Sequence, residues 1–169
     1  MLSGDEIWRR QLVALADPAA SVQPNGVDLS LDAVWAFSAN GALGRADRVL
    51  APREELSFDT DGWIDLPVGT YGIRYAEAVE VPADCGGLCF PRSSLLRMGL
   101  YVPTAVWDAG YRGRGEGLLV VNNPHGVRLQ HRARIVQLVL FCLTGPTSTT
   151  YSGRYQDENR AQDPERSGS

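Results

Sequence analysis

Short apolar segments separated by turn residues make up most of the chain after its first 26 residues. Residues 27–37 alternate in part between apolar and polar side chains, residues 69–75 form another strand-like segment between turns, and the polar residues 44–56 are interpreted as a surface excursion. Two longer apolar runs, residues 117–121 and 135–141, have the length expected of buried strands. Many short strands with only two small helices predict an all-β sandwich or barrel rather than a parallel α/β sheet.

The clearest helix is predicted at the start, over residues 2–15. Ser3 and Glu6 have the spacing of a capping box, in which each side chain bonds the backbone N–H of the other residue. Pro18 then ends the helical pattern, because proline cannot continue a helix and disfavours helical geometry in the residue before it. Three apolar residues at helical spacing would give this helix one docking face: Trp8, Leu12 and Leu15.

The candidate chemistry begins at a second, much shorter helix. Pro91 suits its first turn, and Gly99 can end it in a left-handed cap. Arg92, Ser93 and Ser94 would then place a guanidinium, two hydroxyls and free backbone N–H groups at one helix start. Such a start favours phosphate oxygens, so the sequence predicts an anion-binding turn here.

A single carboxylate, Asp108, lies between a strand-like apolar segment and the glycine-rich turn 109–115. A carboxylate at this position can project from a rigid support into a cleft. It can also cap the turn through a hydrogen bond to a nearby backbone N–H. The residues alone leave both interpretations open.

The composition limits the classes of function. The 169 residues suit one domain, and a formal net charge of -4 argues against nucleic acid as the main partner. The 16 lysine-plus-arginine positions are all arginine, so any phosphate contact must use the planar guanidinium fork. No apolar run approaches the roughly 20 residues that span a bilayer, and the first residues lack the pattern of a signal peptide. We therefore expect a cytoplasmic protein with no membrane partner.

Five short motifs, in their order along the chain, resemble those of the dUTP pyrophosphatase and dCTP deaminase superfamily. They are QPNGVDLSL (residues 23–31), RSSLLR (92–97), WDAGYRG (107–113), RIVQL (134–138) and YSGRYQ (151–156). The resemblance implies an all-β, β-clip-like distorted barrel or jelly roll, with one N-terminal helix and a short phosphate-binding helix. The motifs fall within a single predicted domain over residues 1–156. The polar and charged residues 157–169 are expected to form a mobile C-terminal tail unless a ligand orders them.

The resemblance further implies roles for individual residues. Asp108 matches the aspartate that orients and deprotonates the attacking water, and Ser93 would donate to the oxygen that bridges the α- and β-phosphates. Arg97 matches a position that deaminases of this superfamily use. Asp28 would reach, through water, the Mg²⁺ that the triphosphate carries. The substrate-binding residues implied in this way are Arg92, Ser94, Tyr111, Gln137, Tyr151, Arg154, Tyr155 and Gln156.

The implied activity is hydrolysis of dUTP to dUMP and pyrophosphate, with Mg²⁺. The implied assembly is a homotrimer whose active sites are shared between chains. The sequence does not decide between a trimer and a hexamer. It also does not decide whether the tail closes over its own chain or over a neighbouring one.

Two other activities stay open as well. The dCTP deaminases of the superfamily carry a glutamate on the strand after the motif aspartate, at the place where this chain has Leu118. Glu116 lies on the same strand face, and one extra residue in the hairpin would bring it into that place. A dCTP deaminase, or an enzyme with both activities, is therefore the first alternative. A relative that binds a nucleotide without chemistry is the second.

Overall fold

The computed structural model describes residues 1–145 and 147–160, and strands make up most of its regular structure. The helices in this part of the chain are α1 (Gly4–Arg9), α2 (Pro18–Ser21) and α3 (Ser93–Arg97). The strands in it are β1 (Val22–Gln23), β2 (Gly26–Phe37), β3 (Ala42–Leu43), β4 (Arg48–Val49), β5 (Arg53–Leu56), β6 (Trp63–Leu66), β7 (Gly69–Tyr75), β8 (Val79–Glu80), β9 (Cys85–Pro91), β10 (Leu100–Tyr101), β11 (Arg112–Gly113), β12 (Glu116–Val121), β13 (Val127–Gln130) and β14 (Arg134–Cys142). The predicted all-β class is confirmed.

The long strand β2 organises the main sheet. Its first half pairs with β14 and its second half with β7. The order across the sheet is β10-β12-β7-β2-β14-β9, with β1 and β5 as further partners of β2. The register shifts between Leu31 and Ala33, which makes Asp32 the extra residue of a β-bulge. Because a bulge bends its strand, β2 can serve both halves of a sheet that curves into a nearly closed barrel.

Both faces of β2 are covered. Val27, Leu29 and Leu31 are fully buried in a hydrophobic core that also contains residues of β7, β12 and β14. Side chains alternate between the two faces of a strand, and the alternate residues Asp28 and Ser30 are also buried, at 1% and 5% exposure. Buried polar groups need partners, and Asp28 and Ser30 have theirs in Arg92 and Glu77.

The N-terminal helix is shorter than its sequence pattern predicts. The backbone N–H of Glu6 donates to Ser3 Oγ at 3.2 Å, so the predicted cap is confirmed. However, α1 is only six residues long, and Gln11 takes a left-handed backbone with φ 55°. Val13 then forms a bridge with Val79 of β8. The predicted helix beyond residue 9 is wrong, because pairing with the sheet stabilises this segment more than further helical turns would.

Packing also decides the rest of the N-terminal segment. The predicted docking face is wrong, because Trp8 is 52% exposed and α1 buries Ile7 instead. Leu12 is also buried, but it lies beyond the end of the helix. Beyond it, Asp17 caps α2 by accepting a backbone N–H at 3.2 Å. Pro18 therefore starts a helix here, at a position where its missing N–H is not needed.

The predicted phosphate-binding helix begins later than expected. Pro91 is the last residue of β9, and Arg92 is the N-cap of α3 with an extended backbone, φ −64° and ψ 148°. Gly99 has φ 78°, so its predicted left-handed cap is confirmed. α3 is five residues long, so anion binding at this turn depends on its arginine and serines more than on a helix dipole.

The burial of Glu77 makes the stability of this fold depend on pH. Glu77 is 6% exposed and accepts hydrogen bonds from the backbone N–H of Ser30 at 2.8 Å and from the Ser30 hydroxyl at 2.6 Å. Burial raises the pKa of the Glu77 carboxyl above its ordinary value, although both hydrogen bonds favour the charged form. A carboxyl whose pKa is raised in the folded state stabilises the fold fully at low pH. That stabilisation is lost as the pH rises through the raised pKa.

Glu77→Gln is therefore expected to stabilise the protein at neutral pH. The glutamine keeps an acceptor for the Ser30 N–H and gains a donor for the Ser30 hydroxyl, and it brings no charge into the interior. As the pH rises above about 4.5, the melting temperature of the wild type should fall more than that of the variant. Glu54→Gln, at an exposed position of β5, is the matched control and should change nothing. Equal pH dependence in the wild type and in Glu77→Gln would contradict this assignment.

Candidate active site

Two cavities hold most of the predicted site residues. The larger, of ≈ 960 Å³, lies between β2, β5, the β11–β12 hairpin and C-terminal residues up to 159, and we refer to it as the hairpin cavity. The smaller, of ≈ 400 Å³, lies between α3, β6, β13 and the start of β14, and we refer to it as the arginine cavity. Asp108 lines the hairpin cavity, whereas Arg92 and Ser94 line the arginine cavity.

Asp108 begins the turn that leads into the hairpin. The preceding residue, Trp107, exchanges two backbone hydrogen bonds of 2.9 Å with Gly87, which fixes the turn on β9. The backbone oxygen of Asp108 accepts from the N–H of Tyr111 at 3.0 Å and closes the turn. The carboxylate itself is exposed and accepts no hydrogen bond from the described residues. The Asx-capping alternative is therefore not what the structure shows, and the carboxylate is free to hold a water.

Aromatic side chains form a wall beside this carboxylate. Tyr111 is 7% exposed and lies edge-on to Trp107 at 5.2 Å and to Tyr151 at 5.7 Å between ring centroids. Its hydroxyl donates to Glu158 Oε1 at 2.8 Å. Burial raises the pKa of Tyr111 far above its ordinary value, so this hydroxyl stays protonated and keeps the ring in one orientation. The predicted contact of Tyr111 with a sugar ring stays a prediction.

The C-terminal residues close over the hairpin cavity of their own chain. The backbone N–H of Tyr151 donates to the oxygen of Ala109 at 2.7 Å. The amide of Gln156 donates to the backbone oxygen of Gly110 at 3.0 Å and accepts from the N–H of Arg112 at 3.0 Å. Both polar atoms of Gln156 are therefore used to hold the tail on the Asp108 turn. In this arrangement Gln156 positions the site, whereas its implied contact with substrate stays a prediction.

The tail continues along the hairpin past residue 156. The backbone N–H of Asp157 donates to the oxygen of Arg112 at 2.7 Å, and the two side chains form an ion pair at 2.7 Å. Arg154 and Tyr155 line the hairpin cavity, and their implied contact with substrate stays a prediction. Of the predicted mobile tail, residues 161–169 lie outside the described residues.

The predicted phosphate turn is held by a buried carboxylate. Asp28 Oδ2 lies 3.0 Å from Arg92 Nε and 3.2 Å from Arg134 Nη1. Burial raises the pKa of Asp28, and the two guanidiniums oppose this shift. Because one carboxylate faces two guanidiniums, the charge is positive next to Ser93 and Ser94, whose side chains are exposed.

Two further predicted residues lie at this end of the barrel. Gln137 of β14 is half-buried and stands opposite both Asp28 of β2 and Phe90 of β9 in the strand register. Arg97 is exposed at the end of α3. The fold therefore gathers the first, second and fourth motifs around Asp28, while the third and fifth motifs meet at the hairpin cavity.

The donor set around Asp28 does not fit a protein-bound metal ion. Its Oδ2 is shared by Arg92 and Arg134, and two guanidiniums repel a cation. Residues 1–145 and 147–160 contain no group of three or more His, Cys, Asp or Glu placed to hold a metal. The water-mediated link between Asp28 and Mg²⁺ stays a prediction.

The two halves of the predicted site lie apart in one chain. Trp107 bridges to Gly87, and β9 continues from there to Pro91, next to the phosphate turn. At about 3.3 Å per residue, four residues of strand place the phosphate turn roughly 13 Å beyond the Asp108 turn. Within one chain, Asp108 and Ser93 therefore lie at opposite ends of this part of β9.

The place that the resemblance assigns to the deaminase glutamate holds Leu118, and the nearby Glu116 has other partners. Within β12 the register with β7 has no shift. The Glu116 carboxylate accepts from Arg53 Nη1 at 2.9 and 3.0 Å and from Asn159 Nδ2 at 3.3 Å. The Glu116 carboxylate is therefore engaged by side chains of its own chain.

Arg53 is a residue of this cavity that the sequence pattern did not indicate. It lies in the segment interpreted as a surface excursion, but β5 pairs with the end of β2 and brings it to the cavity wall. There its guanidinium stacks over the Trp35 ring at 4.4 Å. The charged residues of β5 give no strand-like alternation that could have predicted this pairing.

The family of the chain follows from comparison with known proteins. The chain belongs to the dCTP deaminase-like family, whose model matches residues 1–143. A protein of Aeropyrum pernix named "Probable deoxyuridine 5'-triphosphate nucleotidohydrolase" is 44% identical over 138 residues, which are 82% of this chain and 86% of that protein. Proteins with the same name are 43% identical over 145 residues in Methanosarcina mazei (85% of each chain) and 40% identical over 168 residues in Archaeoglobus fulgidus (94% of this chain, 97% of that protein).

A solved structure has the same fold. The 2'-deoxycytidine 5'-triphosphate deaminase from Agrobacterium tumefaciens matches 82% of this chain with a TM-score of 0.63 and 21% identity. This chain spans 46% of that deaminase chain. The family match over residues 1–143 and the relatives at 40–44% identity confirm the superfamily resemblance. Among the described residues, no helix is long and apolar enough to span a membrane.

Proposed function

We propose that this chain hydrolyses dUTP to dUMP and pyrophosphate. Relatives at 40–44% identity over most of the chain carry the name of that activity. The observation that carries the proposal is the Asp108 carboxylate. It is exposed on a turn fixed to β9, next to a cavity of ≈ 960 Å³, and none of the described residues bonds to it.

In this reaction the oxygen of a water bonds to the α-phosphorus, and the bond from that phosphorus to the bridging oxygen breaks. Asp108 takes the proton of the water. Ser93 donates to the bridging oxygen, which leaves as part of pyrophosphate with the bonding electron pair. Arg92, fixed by Asp28 at 3.0 Å, neutralises non-bridging oxygens, and Gln137 and Ser94 hold neighbouring ones.

The nucleoside end is assigned to the hairpin cavity. Tyr111 and Tyr151 form its aromatic wall, where Tyr111 would pack under the deoxyribose. Tyr155 would cover the base and Arg154 would meet phosphate, since both line the cavity from the tail. The main chain at Gly115 and Gly117 approaches the same cavity and can read the base edge with backbone N–H and C=O groups.

We propose that active sites form between copies of the chain in a homotrimer. The separation of Asp108 from Ser93 within one chain supports this, because a second copy can supply the missing half. Exposed apolar side chains flank both halves of the site, and contacts between copies would cover them. Their exposed fractions are 49% for Phe90, 56% for Leu96 and 63% for Val106. Light scattering should give the mass of three chains, and turnover by a monomer would contradict the proposal.

Mg²⁺ is proposed to arrive as part of the substrate, bound to the triphosphate. Mg²⁺ prefers phosphate oxygens and retained waters to a protein cage, and the described residues offer no cluster of metal ligands. The cytoplasmic location and the domain boundary at residue 156 stay predictions.

The test of the function is to incubate the purified chain with Mg²⁺ and either dUTP or dCTP, and to resolve the products by chromatography. We expect dUMP and pyrophosphate from dUTP and no reaction with dCTP, since Leu118 stands in the place of the proton carrier and Arg53 holds Glu116. Ammonia and dUTP formed from dCTP would establish the deaminase alternative. Calorimetric binding of dUTP without any product would establish the non-catalytic one.

Gly115→Ala is expected to lower kcat for dUTP without unfolding the chain. A Cβ at Gly115 would lie 2.5 Å from Trp107 Cη2, so the indole must move, and Asp108 follows it directly in the chain. A displacement of about 1 Å can cost about 100-fold in rate, so we expect a loss of roughly 10- to 100-fold. Gly145→Ala is the matched control, because nothing lies within 4 Å of a Cβ there. An unchanged kcat would show that the position of the indole does not matter for the chemistry.

A further inference from the structure

Two cysteines stand opposite each other at one end of the main sheet. Cys85 begins β9 and Cys142 ends β14, and the two residues are partners in the register of these strands. This register runs from Pro91 to Cys85 without a shift. Directly opposite residues of an antiparallel pair point to the same face of the sheet, so both side chains lie on one side of it. Neither cysteine has a role in the reaction described above.

The backbone hydrogen bonds identify the kind of pair that these cysteines form. The N–H of Leu143 donates to the oxygen of Asp84 at 2.8 Å, so the next pair towards the end of the sheet is hydrogen-bonded. Hydrogen-bonded and non-hydrogen-bonded pairs alternate along an antiparallel ladder, which makes Cys85 and Cys142 a non-hydrogen-bonded pair. In agreement with this, the N–H of Cys85 donates to the oxygen of Pro82 at 3.0 Å and not to Cys142.

A non-hydrogen-bonded pair has the spacing that a disulfide needs. Its Cα atoms are about 4.5 Å apart, closer than in a hydrogen-bonded pair, and disulfides join Cα atoms that are about 4.4–6.8 Å apart. The two strands therefore do not have to separate or slide for the sulfurs of Cys85 and Cys142 to bond.

The two thiols differ in their surroundings. Cys85 is fully buried, and its thiol donates to Asp84 Oδ1 at 3.6 Å. Burial raises the pKa of this thiol to about 11, and the Asp84 carboxylate and the neighbouring Cys142 thiol add to the shift. Cys85 is therefore protonated at neutral pH and is a poor first nucleophile. Cys142 is exposed, so a dissolved oxidant reaches its sulfur first.

The cysteine pair lies where the sheet is held from one side. β9 is the last strand in the order of the main sheet, so β14 is its partner there, and Trp107 adds a single bridge at Gly87. Through that bridge β9 supports the Asp108 turn, and after Pro91 it leads into the phosphate turn. An edge strand has fewer bonds to break than a central one, so it opens locally at a lower cost.

We propose that Cys85 and Cys142 form a reversible disulfide when the protein meets a peroxide, and that this bond locks β9 to β14. The Cys142 sulfur attacks one oxygen of hydrogen peroxide. An S–O bond forms, the O–O bond breaks, and the hydroxide that leaves takes the thiol proton and becomes water. The Cys85 sulfur then bonds to the Cys142 sulfur, the S–O bond breaks, and the second hydroxide leaves as water with the Cys85 proton. The two sulfurs are oxidised, and the peroxide is reduced to water.

The test is mass spectrometry of the full chain after treatment with hydrogen peroxide, with free thiols alkylated in denaturant. The chain has three cysteines, and we expect alkylation to fall from three thiols to one, with a peptide pair linked through Cys85 and Cys142. The melting temperature of the oxidised chain should lie roughly 5–15 °C above that of the reduced chain, because the cross-link constrains the unfolded state. A small dithiol should reverse both changes.

Two variants separate this disulfide from general oxidation. Cys142→Ser changes an exposed side chain, so it should fold, and it should lose the link and the rise in melting temperature. Cys89→Ala is the matched control, because Cys89 lies on the same strand but stands opposite Leu138, and it should still form the link.

Three outcomes would overturn the inference: three free thiols after peroxide, oxygen added to Cys142 without a bond to Cys85, or a disulfide between the Cys142 residues of two chains. None of these measurements uses a nucleotide. The disulfide and the proposed hydrolysis of dUTP can therefore fail independently of each other.

Discussion

Replacing Asp108 by asparagine is expected to lower kcat for dUTP by about 10²- to 10⁴-fold, the usual contribution of a positioned general base. The amide has the same shape but cannot take a proton from water. The described residues form no hydrogen bond with the Asp108 carboxylate, so the substitution removes no contact that holds the fold. Binding of a non-hydrolysable dUTP analogue and the melting temperature should therefore stay close to those of the wild type.

The matched control is Asp5→Asn, an exposed carboxylate in the first turn of α1 that lines neither cavity. It should retain full turnover. Turnover near the wild-type rate in Asp108→Asn would remove Asp108 from the role of base. A loss of analogue binding equal to the loss of kcat would assign it a binding role instead.

Mixing two inactive variants is expected to restore activity. Ser93→Ala alone should lower kcat by about 10²- to 10³-fold, because it removes the donor to the leaving oxygen. If each site takes Asp108 from one chain and Ser93 from the next, a mixed oligomer of Asp108→Asn and Ser93→Ala chains contains some sites with both native residues. In a trimeric ring that contains both kinds of chain, in either ratio, one of the three sites has both native residues, so about one third of the sites are intact.

The measurement uses co-expressed chains with different affinity tags, purified through both tags in sequence. Turnover per site should rise from the residual level of either variant to a substantial fraction of the wild type. Co-expression of two differently tagged Asp108→Asn chains is the control and should give no recovery. If mixed oligomers also stay at the residual level, Asp108 and Ser93 act within one chain and the shared site is refuted.

The local features of the chain could be predicted from its sequence. Strand β7 covers residues 69–75, as the sequence predicted, and the helix caps at Ser3 and Gly99 are confirmed. Each of these features depends on only a few neighbouring residues. The length of α1 could not be predicted in the same way. Its apolar spacing is helical, but the pairing of Val13 with Val79 is a contact between distant segments.

The candidate site could be predicted only in part. The motifs indicate Asp108 and Arg92 but not how they are arranged. The Asp28 carboxylate contacts Arg134 because β2 pairs with β14, and these two residues are 106 positions apart in the sequence. Arg53 at the cavity wall likewise depends on the pairing of β5 with β2.

By itself, the sequence determined which groups are available: an all-β chain, a carboxylate before a glycine-rich hairpin, and arginines and serines for phosphate. The tertiary structure decided where they act. It placed Asp108 and Ser94 at two different cavities of one chain, and it folded the tail over its own hairpin. Residue types and local backbone preferences are properties of short segments, whereas proximity between segments comes from strand register and bulges, which form only when the whole sheet is closed.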